Sequence, residues 1–220
     1  MRDAEKLGKA DAFSSLLTKG IIQLLIGDLE QGLMWVNKAS QIDPGSAPGI
    51  VDFIRAQLYT KLGYFTLAHE PFKRSANLDY GAFGYRAGVG FGIGAFTFLH
   101  NSFAEADKRA MDVRTEVSRE KLQHIVTVMS LNDLDDKTLS CYLDEAGIVV
   151  RSKRLFIKEH VVEIAKYDGR NELRVGLVVE CAPEQRAEMM LELAERFSNF
   201  PKMPQGFHIS FEGCGEYKEY

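Results

Sequence analysis

Residues 27–44, GDLEQGLMWVNKASQIDP, decide the fold of the N-terminal half of the chain. A Gly-Asp pair opens the stretch and an Asp-Pro pair closes it, and both interrupt the helical pattern. Between them, apolar residues recur at three- and four-residue steps, which is typical of an amphipathic helix. The stretch therefore predicts a short helix bounded by tight turns.

The same helical periodicity continues on both sides, from about residue 7 to residue 129. Its predicted breaks are Gly27-Asp28, residues 43–46, Gly63, a looser one at residues 79–84, and Asn101-Ser102. Short amphipathic helices joined by tight turns favour antiparallel helical hairpins.

Residues 27–44 also resemble the second half of a tetratricopeptide repeat (TPR). That family has small residues at its eighth, twentieth and twenty-seventh positions and a proline at its thirty-second. Counted from Phe13, these positions are Gly20, Gly32, Ala39 and Pro44, and all four fit. Small residues let the two helices of a hairpin approach closely, and stacked hairpins bury helix faces that a single hairpin leaves exposed to solvent.

Two further copies follow, and the resemblance covers about half of the chain. The second, counted from Gly49, has the small residues Ala56, Ala68 and Ser75. The third, counted from Ala87, has Gly94 and Ala106, but Val113 replaces the last small residue. The resemblance implies about three stacked hairpins.

In tetratricopeptide arrays, the first helix of each hairpin lines a concave groove that binds a partner segment. The resemblance places these residues in that groove: Leu17, Ile21, Leu24, Phe53, Gln57, Thr60, Phe91, Ala95 and Phe98. Leu17 and Ile21 stand where arrays that capture a terminal carboxylate need polar side chains, so such a clamp is not expected. The groove is predicted to bind an apolar or amphipathic segment of a protein or peptide.

Two alternatives to an external partner stay open for this groove. The helix predicted at residues 119–130, or the C-terminal part of the chain, could fill it from within, since large exposed apolar patches are uncommon in monomers. Self-association through the same patch would give a homo-oligomer.

Beyond residue 130 the pattern changes to that of a small α/β unit. A helix is predicted from Asp135 or Asp136 to Ala146, stopped by Gly147, with a strand following within residues 148–158. The β-hairpin signal is two β-rich runs, residues 160–167 and 172–180, flanking Asp-Gly-Arg-Asn.

A last helix and a last strand complete this unit. The helix is predicted at residues 183–197, with an apolar face formed by Ala187, Met190, Leu191, Ala194 and Phe197. Alternating Phe207, Ile209 and Phe211 indicate the strand.

The predicted fold class is α+β. About three tetratricopeptide-like hairpins form an all-α domain at residues 1–120, and residues 121–134 form a connecting helix or linker. Residues 135–220 form a small α/β domain with a three- or four-stranded sheet and one or two helices.

Composition limits the classes of function and compartment. A net charge of −4 argues against a nucleic-acid binder, which needs dense positive charge. The most apolar stretch, residues 87–99, is shorter than the roughly 20 residues that a spanning helix needs. Three widely spaced cysteines and an N-terminus without a signal-like apolar core favour the cytoplasm, with a bacterial type of protein expected.

Several features suggest chemistry, but each has a simpler interpretation. The glycine-rich residues 81–94 lack the Lys-Ser or Lys-Thr of a nucleotide loop and favour close helix packing. The basic residues Arg151, Lys153, Arg154 and Lys158 are interpreted as the solvated face of a strand. Asp133, Asp135 and Asp136 suit a helix start without any metal.

The remaining candidates are histidines and cysteines, and no catalytic residue, cofactor or metal site is predicted. The histidines lack the spacing of a zinc site. A Cys–His pair in the sheet, for instance Cys181 or Cys214 with His160 or His208, is the catalytic alternative, although free buried cysteine usually acts as a small apolar residue.

Three hypotheses for the function follow. The first is a non-enzymatic adaptor or chaperone-like protein that binds its partner in the groove. The second is an enzyme whose site lies in the C-terminal unit, with the repeats as a recruiting arm. The third is an obligate homo-oligomer with a structural role.

Overall fold

The computed structural model describes residues 2–45, 48–78, 83–167, 169–200 and 206–214. In these ranges the elements, in chain order, are α1 (Arg2–Ile26), α2 (Leu29–Ile42), α3 (Pro48–Lys61), α4 (Phe65–Leu78), α5 (Phe83–Ile93), α6 (Phe96–Lys108), α7 (Arg119–Leu131), α8 (Asp136–Ser152), β1 (Ile157–Tyr167), β2 (Arg170–Val179), α9 (Pro183–Ser198) and β3 (Phe207–Gly213). Helices dominate the N-terminal part and a small sheet follows. The α+β class is therefore confirmed.

The first six helices form three consecutive pairs, and each pair turns at a glycine. Gly27, Gly63 and Gly94 have φ angles of 86°, 73° and 83°, a left-handed conformation that glycine adopts without steric cost. We call the turns that they open the first, second and third turns. In each, one residue separates the glycine from the next helix. The breaks predicted at Gly27-Asp28 and Gly63 are confirmed.

The break predicted at Asn101-Ser102 is wrong, because α6 runs through both residues. The turn between the two helices of the third pair lies instead at Gly94, seven residues earlier in the chain. Asn101 is exposed and Ser102 half-buried, and at such positions polar side chains are compatible with a continuous helix. The looser break at residues 79–84 lies largely outside the described residues.

Small residues between the helices allow close approach in the first pair. A Cβ atom on Gly20 would lie 2.6 Å from a methyl carbon of Val36, and one on Gly32 would lie 3.2 Å from the carbonyl oxygen of Gly20. Ala39 is fully buried in the same cluster. These are the positions on which the tetratricopeptide resemblance rests; the family assignment itself stays a prediction.

Helix α8 lies across the turns of the hairpins and is longer than predicted. Gly147, expected to end it, is inside the helix, so residues 148–152 are helical and the next strand begins only at Ile157. A Cβ atom on Gly147 would lie 1.9 Å from the carbonyl oxygen of Gly63. Gly147 is therefore present because α8 touches the backbone of the second turn, and it does not act as a helix stop.

Two carboxylates of α8 cap the helices that follow the second and third turns. Asp144 Oδ1 accepts hydrogen bonds from Phe65 N at 2.6 Å and Thr66 N at 3.2 Å. Asp136 accepts from Thr97 N at 2.8 Å and Phe98 N at 2.9 Å through its two oxygens. The first N–H groups of a helix have no partner within the helix, so these carboxylates satisfy donors that would otherwise be orphaned.

The neighbouring residues explain why these caps come from elsewhere in the chain. Tyr64 and Ala95 directly precede α4 and α6, and an alanine offers no oxygen to a helix N-terminus. At the first turn the equivalent residue is Asp28, which caps its own helix by accepting from Gln31 N at 3.4 Å. The second and third pairs therefore depend on α8, and the first does not.

The sheet has the order β1-β2-β3, with β1 and β2 antiparallel and β2 and β3 parallel. The predicted β-hairpin is confirmed, with a tighter connection, since Arg170 already pairs with Tyr167. The predicted last strand is also confirmed, with Phe207, Ile209 and Phe211 buried on alternate positions.

The predicted face of α9 is wrong for three of its five residues, while Met190 and Phe197 pack against the main core as predicted. Met189 and Leu193 are the buried residues of this helix, whereas Ala187, Leu191 and Ala194 are exposed. The helix carries apolar residues on two sides, so periodicity alone does not say which side packs.

One hydrophobic core extends from the helical pairs into the sheet. It includes Ala56 and Phe72 from the hairpins, Leu143 from α8 and Leu177 and Phe211 from the strands. A second cluster is built by α1, α2 and α3. The main core crosses residues 121–134, where the predicted boundary lies, and α7 occupies most of that range with Ser118 as its N-cap. The division at 1–120 and 135–220 stays a prediction.

Removing the Asp136 carboxylate should destabilise the fold. We expect Asp136→Ala to lower the free energy of unfolding by about 1–3 kcal/mol, the range for a lost helix cap and lost charge-assisted hydrogen bonds. Ala95→Ser in the same background supplies a local cap and should recover part of the loss. Asp112→Ala, at an exposed position, should change stability by less than about 0.5 kcal/mol in the same urea titrations.

Substituting alanine for two of the glycines should change the stability of the fold in opposite directions. Gly147→Ala forces a Cβ atom into the backbone of Gly63, so a loss of several kcal/mol is expected, on the order of the largest point effects. Gly88→Ala meets no atom within 4 Å and should stabilise α5 by about 0.5–1 kcal/mol. Equal melting temperatures for the two variants would contradict the close contact of α8 with the second turn.

Candidate binding cleft at the first turn

Four of the predicted groove residues are enclosed and offer no binding surface, which corrects the prediction for them. Leu17 and Phe53 are each 9% exposed, Thr60 5% and Ala95 0%. Leu17 packs in the cluster of α1, α2 and α3. Thr60 donates its hydroxyl hydrogen to Ala56 O at 2.7 Å.

The other five predicted groove residues are more accessible and lie on four different helices, α1, α3, α5 and α6. Ile21 is exposed, and Leu24 and Gln57 are half-buried. Phe91 is half-buried, with its ring 5.1 Å from that of Phe96. Phe98 is half-buried and contacts Phe72, with ring centroids 5.7 Å apart.

Strand β1 lies against the first helices of the second and third pairs. It contacts both α3 and α5. Its His160 ring lies on Gly92, where an added Cβ atom would be 2.9 Å from Nδ1. The C-terminal part of the chain therefore contacts two of the helices that carry predicted groove residues, which favours the internal-filling alternative.

An open cleft of about 730 Å³ lies instead beside the first turn. We call it the first-turn cleft. It is lined by Gly27, Asp28, Leu29, Glu30, Leu62, Tyr64, Ile148, Arg151, Ser152, Arg154, Leu155 and Phe156. The residues come from the first turn, from the second turn, and from the end of α8 with the segment that follows it.

The cleft exists because α8 seals the second and third turns and not the first. Asp136, Asp144 and Ser152 follow one another at eight-residue intervals along α8, a rise of about 12 Å at each step. The first two reach the third and second turns as caps. Ser152 donates to Val149 O within its own helix, and Asp28 caps α2 locally. Space is left between α8 and the first turn.

The predicted solvated strand face of basic residues is wrong for three of its four members. Arg151 is in α8, and Lys153 and Arg154 follow its end; Lys158 alone is on a strand, β1. Lys153 pairs with Glu192 at 3.3 Å. The sequence correctly singled out the two arginines of the cleft, but for a different reason.

Arg151 is held in place by the second turn. Its Nη1 donates to Leu62 O at 3.2 Å and also to Gly63 O. Its guanidinium carbon lies 3.9 Å from the centre of the Tyr64 ring, a cation–π contact. The guanidinium plane is therefore fixed before any ligand arrives.

Arg154 is exposed on the rim of the cleft. Its φ of 56° is left-handed, a conformation that favours glycine and costs other residues about 1 kcal/mol. Its guanidinium makes no hydrogen bond or ion pair with a residue of the described ranges. Across the cleft stand Asp28 and Glu30, so the two walls carry opposite charges over an apolar floor.

The Cys–His alternative is not assembled. The Nε2 atom of His160 is enclosed without a hydrogen-bond partner, and its ring packs edge-on against Phe65 at 5.9 Å. His208 pairs with Glu172 at 3.2 Å. Within the described residues, neither histidine is hydrogen-bonded to Cys181 or Cys214.

Sequence reasoning missed a buried contact between Ser140 and His69, whose Oγ and Nε2 atoms are 2.7 Å apart. Burial lowers the pKa of His69, although the nearby Asp136 raises it. Both residues are nearly inaccessible, so no substrate reaches the hydroxyl. The pair links α8 to α4, and its 71-residue separation left no signal in the sequence.

Comparisons with family models, curated proteins and solved structures found no match to this chain. In the described residues, no group of three or more histidine, cysteine or acidic side chains could hold a metal ion. None of the described helices is long and apolar enough to cross a membrane. The candidate site therefore rests on the geometry of the chain itself.

His160, whose Nε2 atom is enclosed, should make the fold sensitive to acid. Burial and the charge of Lys61 lower its pKa to about 3, from an ordinary value of 6.5. Between these pH values the unfolded chain binds a proton that the folded chain does not. Stability should therefore fall as the pH is lowered, by up to about 1.4 kcal/mol per pH unit from this residue.

His160→Leu removes this proton uptake and also removes a buried polar atom without a partner. We expect the loss of stability between pH 7 and pH 5 to be about 1–2 kcal/mol smaller than in the wild type. Urea titrations at the two pH values measure it. An identical loss in both proteins would contradict the prediction.

Proposed function

We propose that this chain is a non-enzymatic protein-binding module of the adaptor type, and that the first-turn cleft holds an apolar partner segment bearing an acidic group. The observation that carries the proposal is the unequal treatment of the three turns. Asp144 and Asp136 seal the second and third turns, while the first turn opens into a cleft of about 730 Å³.

The residues that line the cleft are better suited to binding a peptide than to catalysing a reaction. Phe156, Leu155 and Tyr64 offer apolar area, and burying such surface contributes roughly 25 cal/mol per Å². Arg151, fixed by the second turn, and Arg154, free on the rim, can bind a carboxylate by charge-assisted hydrogen bonds. Preorganisation of Arg151 lowers the entropy lost on binding.

The opposite wall adds selectivity. Asp28 and Glu30 repel a segment that is acidic along its whole length, so the partner's carboxylate must face α8. The resemblance of the hairpins to tetratricopeptide repeats supports a role in protein binding. The proposed site therefore lies on the turn side of the hairpins and not in the concave groove.

Arg154→Gly is the sharpest test, because it removes the charge and relieves a left-handed φ at the same time. We expect a stability equal to or up to about 1 kcal/mol above the wild type, and clearly weaker partner binding. A photo-crosslinking residue at Glu30, in the cleft wall, should capture the partner from a native lysate. Capture should fall in the Arg154→Gly background.

Lys137→Glu is the matched control, since it changes an exposed charge at the start of α8, the helix whose end Arg154 follows. It should leave capture unchanged, whereas Arg154→Glu should reduce it further than Arg154→Gly. Equal capture by the wild type and all three variants would refute the cleft as the binding site.

A further inference from the structure

Two of the three cysteines lie at the same end of the sheet, where β2 and β3 both leave it. These two strands are parallel and stay in register to their last residues, since Val179 pairs with Gly213. Cys181 follows Val179 by two positions, and Cys214 follows Gly213 by one. The two cysteines are therefore one residue step apart on neighbouring segments of the chain.

This arrangement brings the two backbones to the separation that a disulfide needs. Neighbouring strands lie about 4.8 Å apart, and each residue of a strand advances the chain by about 3.3 Å. When the strand directions are continued, the Cα atoms of Cys181 and Cys214 are about 6 Å apart. Disulfides join residues whose Cα atoms are roughly 4.4–6.8 Å apart.

The side chains around the two cysteines leave the space between them open to a bond. Glu180 stands next to Cys181 in the chain, but its carboxylate pairs with Lys158 Nζ at 3.1 Å, on the β1 side of β2 and away from β3. Both cysteines lie past the last residues of their strands. The alternation of side chains along a strand therefore no longer directs them to opposite faces of the sheet.

The charges of the two thiols also influence each other. Burial is the main cause that raises the pKa of the Cys181 thiol; the guanidinium of Arg186 lowers this pKa, and the neighbouring Cys214 raises it. One ionisable group disfavours a like charge on another at short range. This effect agrees with the separation that the strand register indicates.

The two cysteines differ in their access to solvent. Cys214 is exposed, whereas Cys181 is half-buried and packs against the main core. An oxidant in solution therefore meets Cys214 first, and Cys181 is placed to attack the product. An accessible cysteine next to a second, resolving cysteine is the arrangement found in redox-responsive pairs.

We propose that Cys181 and Cys214 form a reversible disulfide that joins the ends of β2 and β3 when the protein meets a small-molecule disulfide. The Cys214 thiolate attacks one sulfur of the oxidant, which forms a mixed disulfide and releases one thiol. The Cys181 thiolate then attacks the sulfur of Cys214 and releases the second thiol. Two electrons pass to the oxidant, and the two protons lost by the cysteines end on the released thiols.

Two variants with two cysteines each test the pair, using the full folded chain and oxidised glutathione. Cys141→Ser retains Cys181 and Cys214, and we expect it to lose both thiols and about two mass units, with no glutathione retained. Cys181→Ser is the matched control, because it retains Cys214 and the exposed Cys141. It should carry glutathione instead, since no second thiol resolves the mixed disulfide.

Intact mass and peptide mapping distinguish these products. An internal disulfide in both variants, or in neither, overturns the proposal. The wild type should link residues 181 and 214 alone when folded, and should give a mixture of linked pairs when oxidised in urea. The same mixture under both conditions would show that the fold does not bring these two thiols together.

The melting temperature tests whether the folded structure accommodates the bond without strain. A disulfide between residues 181 and 214 closes a loop of about 30 residues, so oxidation should raise the melting temperature of the wild type by roughly 5–15 °C. Cys214→Ser lacks the bond and should melt at the same temperature with and without the oxidant. A wild-type melting temperature that stays equal or falls on oxidation overturns the inferred geometry. The disulfide does not depend on the partner proposed for the first-turn cleft.

Discussion

Two carboxylates of one helix hold the architecture together. Asp144 and Asp136 lie on α8 and satisfy the first N–H groups of α4 and α6, because Tyr64 and Ala95, which precede those helices, do not cap them. Since α8 comes after the hairpins in the chain, the second and third pairs become complete only when it has docked. The continuity of the main core through residues 121–134 follows from that dependence.

What could be predicted from the sequence was local. Gly27 and Gly63 mark turns because a left-handed φ is a property of one residue, and the alternation of Phe207, Ile209 and Phe211 reports its own strand. Residues that act at a distance left no such signal. Gly147 was read as a helix stop because glycine usually is one, whereas its true reason, the backbone of Gly63, lies 84 residues away in the sequence.

The candidate site shows the same limit. Arg151 and Arg154 are recognisable in the sequence as basic residues. The cleft, however, forms only where the first turn, the second turn and the end of α8 come together, and no residue spacing in the sequence predicts that these three segments are neighbours. The groove inferred from the tetratricopeptide resemblance did not include strand β1, which lies against α3 and α5. Burial of Ala95 and Thr60 is the consequence of packing that only the folded chain reveals.

The first hairpin differs from the others in how it is completed, and this difference explains where the first-turn cleft lies. Asp28 caps α2 from within, and α1, α2 and α3 build their own cluster, so α8 is not needed to finish this pair. A turn that needs no external cap can remain open as a cleft. The same local completeness that makes the first pair independent of α8 therefore leaves the space beside its turn available for another molecule.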